Sequence, residues 1–421
     1  MQYDVIVIGG GPGGTKAAQI LAVRGKKTAL VSDELGGECL NYGCIPTKIY
    51  LWSAELFDKF SSASAYGIET DNPRINWQQM KKRKNEPVAK LRKNLKWSLE
   101  QAGVEIIEGR GEFIDAHTVK VNATGGSKEI KGDYVVVATG SSPIFPEGLQ
   151  KGGKIVSNRE ILDLQEIPKK LFVVGGGVIG VEFASLFSTI GSQVTIMERG
   201  DRLLPWADFE ISAEIERIFA RKNITVLKNK QFKQEDSSDA DCVLISAGRR
   251  PQLGNFPTDV PNIFVIGDAT GKMMLAYTAE REGQYTAHKI LGEKMEPFDH
   301  DKIPSTIFSF PEIGEVGITE DKAKKNNLSY VIGKSLYSAN AKALILGARD
   351  GFAKVIADKS SHKLLGVHII GEKASELIAE ASLAVTLGLT VEEFNKNLHS
   401  HPVLGEILKD ACERCSRTYE R

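Results

Sequence analysis

Residues 3–14 read YDVIVIGGGPGG and residues 171–182 read LFVVGGGVIGVE, and the fold follows from this phrase occurring twice. In each copy a run of branched apolar residues, suited to a strand buried on both faces, stops at glycines spaced GxGxxG. The triplets are Gly9, Gly11 and Gly14, and then Gly175, Gly177 and Gly180. Each leads into a helical stretch, the first through Arg24 and the second through Phe187. A strand, a turn without side chains and a helix start together form an anion site. The glycines let the backbone approach a pyrophosphate, and the unpaired amides of the first helical turn point at it. One such triplet is an ordinary tight turn often enough to carry little weight. Two in one chain, each answered by a later strand ending in small residues (VVVATG at 135–140, VLISAG at 243–248), imply two doubly wound nucleotide-binding units.

The second strand of such a unit ends in an acid when the ligand is a dinucleotide with free ribose hydroxyls. In the second copy Glu198 stands 23 residues after Gly175 (198 − 175 = 23), which selects NAD over NADP, and Gly248 closes the unit. The same offset in the first copy falls on Ser32 (9 + 23), with Asp33 one place later, a departure from the acid expected there.

At 421 residues the chain exceeds a single core, and ~150 residues per domain suggests about three units. Lys+Arg and Asp+Glu both number 54, so no global field gathers nucleic acid or an anionic membrane. The basic run at 81–96, KKRKNEPVAKLRKNLK, is followed by Glu100, Glu105 and Glu108 and reads as a solvated helix face. The start, MQYDVIVIGG, carries no basic segment before an apolar one, and no later run is long enough to span a bilayer; the expectation is a cytoplasmic protein without membrane attachment.

Five cysteines, at 39, 44, 242, 412 and 415, are too few and too unevenly spaced for a secreted disulfide framework. In a reducing compartment a close pair points to redox chemistry or to metal. No histidine or third cysteine lies near Cys39 and Cys44, and four intervening residues are not the usual zinc spacing, so no metal is expected. Cys242 lies within a strand pattern and reads as core.

The stretch GGECLNYGCIPTK at 36–48, directly after the second strand of the first unit, makes the reading specific. With the two glycine turns and the segments below, it resembles the dihydrolipoamide dehydrogenase branch of the pyridine nucleotide–disulfide oxidoreductases over essentially the whole chain. The resemblance implies an α/β fold of two Rossmann-like domains, for FAD and NAD, and a C-terminal α+β dimerisation domain. It divides the chain into an FAD-binding domain with the redox disulfide at 1–148, a shortened NAD-binding domain at 149–253, a return to the FAD-binding region at 254–301 and an interface domain at 302–421. It makes Cys39 and Cys44 a redox-active disulfide, Cys39 exchanging with substrate and Cys44 facing the flavin. Lys48 is then expected near the flavin, paired with Glu182. Thr139 and Gly140 match a segment beside the adenosine. Gly267 and Asp268, in FVIGDA at 264–269, match the strand end that holds the ribityl chain, and Ala276, in LAYTAEREG at 275–283, matches a segment near the flavin. Tyr277 replaces the histidine expected beside it.

In HSHPVLGE at 399–406 the family's catalytic histidine and its orienting carboxylate match His401 and Glu406. A histidine of pKa near ~6.5 can take a proton from a substrate thiol, and a carboxylate fixes its tautomer. His399 reads as structural. In the family this segment serves the disulfide of the opposite subunit, which implies a homodimer with shared sites. Residues 305–319 and 351–371 read as sheet strands with turns, and 374–387 as an apolar-striped helix.

The expected activity is oxidation of a dihydrolipoyl group, free or carried on the lipoyl domain of a multienzyme complex, through FAD to NAD. A glutathione-type reductase is disfavoured by Glu198. A metal-ion reductase would exploit the second pair, Cys412 and Cys415, and a flavoprotein without turnover would bind NADH without bleaching the flavin. Only 50 positions separate Glu198 from Gly248 (248 − 198), so the second unit has lost a flap that its relatives carry.

Overall fold

The computed structural model describes residues 1–149 and 151–419. The strand Gln2–Ile8 sits inside a largely parallel sheet, between Thr28–Ser32 and Gly126–Val137. Glu105–Glu108 and Ile263–Val265 extend the parallel part, and the ribbon of Thr118–Ala123 and Arg110–Asp115 closes one edge. The helices Pro12–Val23, Trp77–Gln101 and Ala276–Ile290 cover one face of the central strands, and the antiparallel ribbon with residues 253–260 packs on the other, so both faces are buried and the Val-Ile runs are unbroken. The second sheet is wholly parallel, in the order Thr225–Leu227, Gln193–Met197, Lys170–Val174, Cys242–Ile245, Ile155–Val156. Residues 228–241, where relatives were expected to carry more strands, contain only the short 3-10 helix Gln234–Ser237.

The last glycine of each triplet lets helix and strand touch. A Cβ on Gly14 would lie 2.0 Å from the Gly9 carbonyl oxygen, and one on Gly180 would lie 2.0 Å from that of Gly175. The chain returns to the first unit through Ile263–Val265 and the helix Ala276–Ile290. That helix packs on Pro12–Val23 so closely that a Cβ on Gly283 would meet the Gly13 carbonyl oxygen at 2.2 Å.

The third unit is an antiparallel sheet in the order Ser305–Ile307, Glu312–Gly317, Leu364–Gly371, Phe352–Asp358, Tyr330–Leu336. The helices Ala374–Leu387 and Glu406–Tyr419 pack on it. Glu406–Tyr419 lies so near its strand that a Cβ on Gly333 would sit 1.9 Å from the Ala411 carbonyl oxygen, which accounts for small residues along that helix face.

A buried ionic cluster joins the second and third units. Lys354 is 1 % exposed at its side chain and contacts Asp208 at 3.0 Å, Glu210 at 2.9 Å and Glu320 at 2.6 Å. Asp208 caps the helix Phe209–Arg221 and accepts from the Glu320 amide at 3.0 Å. Burial pushes the Asp208 carboxyl up, but the charges of His368 and Lys354 and the Glu320 amide outweigh it and hold the group below its usual range.

The basic run departs from expectation. It lies on the helix Trp77–Gln101, mostly exposed, yet Lys84 is buried, bonding the Leu162 carbonyl at 3.3 Å and Asp163 at 2.5 Å, and Arg92 donates to Asn41 of the redox segment at 2.5 Å. The long methylene stems of lysine and arginine let the helix bury Lys84 against a neighbouring carbonyl and carboxylate and let Arg92, itself exposed, reach the carboxamide of Asn41.

Candidate active site

One cleft of about 2830 Å³ runs past both glycine turns and the redox segment. Gly36 and Gly37 take φ of +93° and +58°, which bends the chain from the strand Thr28–Ser32 into the short helix Gly37–Tyr42 that carries Cys39. Cys44 is the first residue of the next helix, Cys44–Ser61. The two cysteines are joined as a disulfide with Cα atoms 4.8 Å apart, and both line the cleft. The start of an 18-residue helix favours negative charge, so on reduction Cys44 is the sulfur better stabilised as thiolate.

Lys48 lies one turn after Cys44 on the same helix, so both face the cleft. Its Nζ donates to both oxygens of Glu182 at 2.6 Å, and Glu182, on the helix Val178–Thr189, is 4 % exposed and also accepts from the Phe308 amide at 3.1 Å. The expected pair therefore forms, and it bridges all three units.

A second network was not visible in the sequence. Glu38, next to Cys39, accepts from Asn158 at 2.8 Å and from Arg159 at 2.5 Å, and faces Arg249 at 3.3 Å. Burial raises the Glu38 carboxyl, but these donors prevail and hold it below the usual range. Arg249 donates to the Ser141 hydroxyl at 2.7 Å, and Ser141 donates to Asp268 at 2.5 Å. A chain of charge-assisted hydrogen bonds thus runs from the residue before Cys39 to Asp268.

In the first nucleotide site Gly9, Gly11, Thr139, Gly140, Gly267, Asp268 and Ala276 line the cleft, with Gly14 behind in the helix packing. Ile8 pairs with Val31 and Val174 with Met197, so Ser32 and Glu198 occupy equivalent positions. They also do equivalent work. Glu198 accepts from the amides of Gly176 and Gly200 at 2.6 Å each; the Ser32 hydroxyl accepts from those of Gly10 at 3.1 Å and Glu34 at 3.2 Å and donates to the Glu34 carbonyl at 2.9 Å. Ser32 is thereby committed to the turn, and the nearest carboxylate at the cleft is Asp33, paired with Arg110 at 2.8 Å. Beside Ala276, Tyr277 bonds the Pro304 carbonyl, and burial pushes its hydroxyl up to about 12.

The residues fit a dinucleotide at each turn. A Cβ on Gly11 would meet nothing within 4 Å, leaving the first turn open to a phosphate. Gly175, Gly177, Glu198 and Gly248 line the same cleft, with Gly180 packed behind them. A ligand at each turn would share this cleft with the Cys39–Cys44 segment.

His401 and Glu406 pair at 3.0 Å through Nδ1, and Glu406 also accepts from the Val403 amide at 3.0 Å. The His401 hydrogen bond and this amide hold Glu406 below its usual range. With Nδ1 committed to the carboxylate, Nε2 carries the basic lone pair. The His401 side chain is 71 % exposed and lies outside the cleft that holds the disulfide. His399, in contrast, is half-buried with its ring covered, and pairs with Glu380 at 3.1 Å. Cys412 and Cys415 are buried in the core of the third unit; burial pushes the Cys415 thiol up to about 12 and Cys412 higher still. They do not form an exposed second dithiol.

Residues 3–283 match the family model described as pyridine nucleotide-disulphide oxidoreductase, and residues 303–412 match its dimerisation domain. The chain is 34 % identical to the dihydrolipoyl dehydrogenase of Bacillus subtilis, covering 97 % of each, and 36 % identical to that of Chlamydia muridarum, covering 96 % of this chain and 95 % of the relative. Among solved structures it is similar to LpdA from Mycobacterium tuberculosis, with TM-score 0.88, 28 % identity and coverage of 98 % and 99 %. The flavoprotein disulfide reductase RclA from Escherichia coli aligns with TM-score 0.87 and 26 % identity over 98 % and 99 %.

Proposed function

Since the chain belongs to the pyridine nucleotide–disulfide oxidoreductases, we propose that it acts as a dihydrolipoyl dehydrogenase in which Cys39 and Cys44 take two electrons from a dihydrolipoyl dithiol. FAD held at the first turn would supply the two-electron relay between this pair and NAD at the second. Gly9, Gly11, Gly14, Ser32, Asp33, Thr139, Gly140, Gly267, Asp268 and Ala276 are assigned to FAD, and Gly175, Gly177, Gly180, Glu198 and Gly248 to NAD. The observation that carries the reading is a disulfide opening into the one cleft that both glycine turns share, with one sulfur at a helix start.

His401 Nε2 takes the proton from one substrate thiol, and Glu406 steadies the imidazolium that results. The substrate thiolate attacks Cys39 Sγ, the Cys39–Cys44 bond breaks, and its electron pair leaves on Cys44, where the helix start favours the negative charge. The second substrate sulfur then attacks the first as its own proton passes to the departing Cys39 Sγ, closing the product disulfide and releasing Cys39 as a thiol, with the first proton left on His401. Two electrons have moved from substrate to the cysteine pair. Lys48, anchored by Glu182, supplies fixed positive charge beside Cys44.

The dimerisation domain supports a homodimer, and the exposure of His401 outside its own cleft supports sites shared between subunits. The substrate is a dihydrolipoyl group, free or carried on a lipoyl domain, and the setting cytoplasmic, in keeping with three cysteines left unpaired. Among the described residues no helix is long and apolar enough to cross a membrane. Anaerobic addition of NADH to the holoenzyme is expected to produce a long-wavelength thiolate–flavin absorption band, and Cys39→Ser to lose lipoamide turnover at least a thousandfold. A missing band, or a Cys39→Ser enzyme that still turned over lipoamide, would overturn the reading.

A further inference from the structure

The two glycine turns are covered differently. After the second strand of each unit the chain folds back and donates an amide to the carbonyl of the glycine between the first two members of the triplet: Gly36 to Gly10 at 2.7 Å, and Leu204 to Gly176 at 2.9 Å. Both donors have positive φ, +93° for Gly36 and +50° for Leu204. Glycine adopts this conformation freely, whereas a leucine there is a genuine outlier that its surroundings must hold. In the first copy the returning segment continues into the redox helix. In the second it forms a tight turn, Ala207 donating to the Leu204 carbonyl at 2.9 Å with Pro205 and Trp206 at its corners.

The turn is fixed on every side. Leu203 and Leu204 are fully buried, Arg202 donates to the Pro205 carbonyl at 3.0 Å and pairs with Asp321 at 3.3 Å, and Asp208 enters the Lys354 cluster. This anchoring presents one large side chain to the cleft. The six-membered ring edge of Trp206 lies 3.6 Å from where a Cβ on Gly177 would be, and nothing else comes within 4 Å. At the equivalent Gly11 nothing comes within 4 Å at all. Trp206 is 48 % exposed and lines the cleft, and its indole N–H has no partner among the described residues. A half-exposed indole held by a strained, buried turn is costly unless something packs on it.

We infer that Trp206 is a nucleotide-binding residue of the second site: its ring forms an aromatic wall beside the Gly177 turn, against which the ribose–pyrophosphate part of NAD packs. The inference rests on the assignment of the second turn to NAD. Burying one ring face against the ligand is worth about tenfold in affinity.

The test compares wild-type holoenzyme with Trp206→Phe and Trp206→Ala, titrating NAD⁺ by intrinsic indole fluorescence and measuring KM and kcat for NADH in lipoamide reduction. Trp206→Ala is expected to raise KM and Kd about tenfold with kcat within twofold, and Trp206→Phe to stay within threefold of wild type while losing the NAD⁺-dependent change in emission. FAD content and thermal midpoint, measured in parallel, separate this from a folding defect: Trp206→Phe with native values keeps the fluorescence arm decisive if Trp206→Ala fails to fold. Unchanged or tighter binding in Trp206→Ala, or an emission change surviving in Trp206→Phe, would overturn the inference while leaving the second-site assignment intact. Failure of the wild type to bind NAD⁺ saturably would instead remove the assignment beneath it.

Discussion

At the scale of single residues, what was legible followed from the length of sequence over which a signal acts. Cys39, Cys44 and Lys48 share one short segment, and their roles could be carried over from a resemblance. Glu182 could be paired with Lys48 the same way, although only the structure brings in the Phe308 amide that completes its shell. Glu38 and Arg249 stand 211 positions apart and Ser141 and Asp268 stand 127 apart, so nothing local announces their network. The cysteine spacing at 412 and 415 misleads in the other direction. It resembles a dithiol, yet a thiol pushed up to about 12 is only roughly one part in ten thousand thiolate at pH 8. In the reduced, folded enzyme no more than two of the five cysteines should react with a thiol reagent at that pH, and all five should react after unfolding. A double Cys412→Ala, Cys415→Ala variant should keep at least half its lipoamide turnover. Rapid labelling of either residue in the native protein would contradict their burial.

Among the elements, parallel strands and their helices were readable because periodicity and glycine punctuation are local. Basic residues on a helix were less so. Which of them turns inward, as Lys84 does, or reaches across to another element, as Arg92 does, depends on what the tertiary fold brings opposite, here the carbonyl of Leu162 and the carboxamide of Asn41. The contact between the helix Phe209–Arg221 and the antiparallel sheet left no trace in sequence, because Lys354, Asp208 and Glu320 look like ordinary surface charges until the units dock. Replacing Lys354 with Met would leave Asp208, fully buried, without its cation. Breaking a buried pair in this way costs about 3–5 kcal/mol, more than the pair itself stabilises. Denaturant unfolding of Lys354→Met should register that loss, and the double variant Lys354→Met, Asp208→Asn should recover part of it. A single variant within about 1 kcal/mol of wild type would show the cluster to be solvated in practice.

On the scale of the whole molecule, the C-terminal sheet and its helices were readable as a separate unit, but the surfaces they leave outside were not. Large apolar side chains stand exposed on helices of different units, among them Phe60 at 54 %, Leu383 at 61 % and Leu387 at 65 %, the kind of surface a second subunit covers. Mixing Cys39→Ser and His401→Ala enzymes under conditions of subunit exchange should restore up to about a quarter of wild-type activity, since half the population is heterodimer and each heterodimer holds one intact site. No recovery despite demonstrated exchange would count against shared sites. The exposure of His401 also has a kinetic meaning. An enzyme whose proton acceptor arrives with another copy of itself has a rate that is not proportional to its own concentration: below the dissociation constant of the dimer, halving the amount of protein quarters the rate. With sites shared as proposed, synthesis of the chain would set a threshold for flux, and partial loss of expression would be felt more steeply than in a self-sufficient monomer.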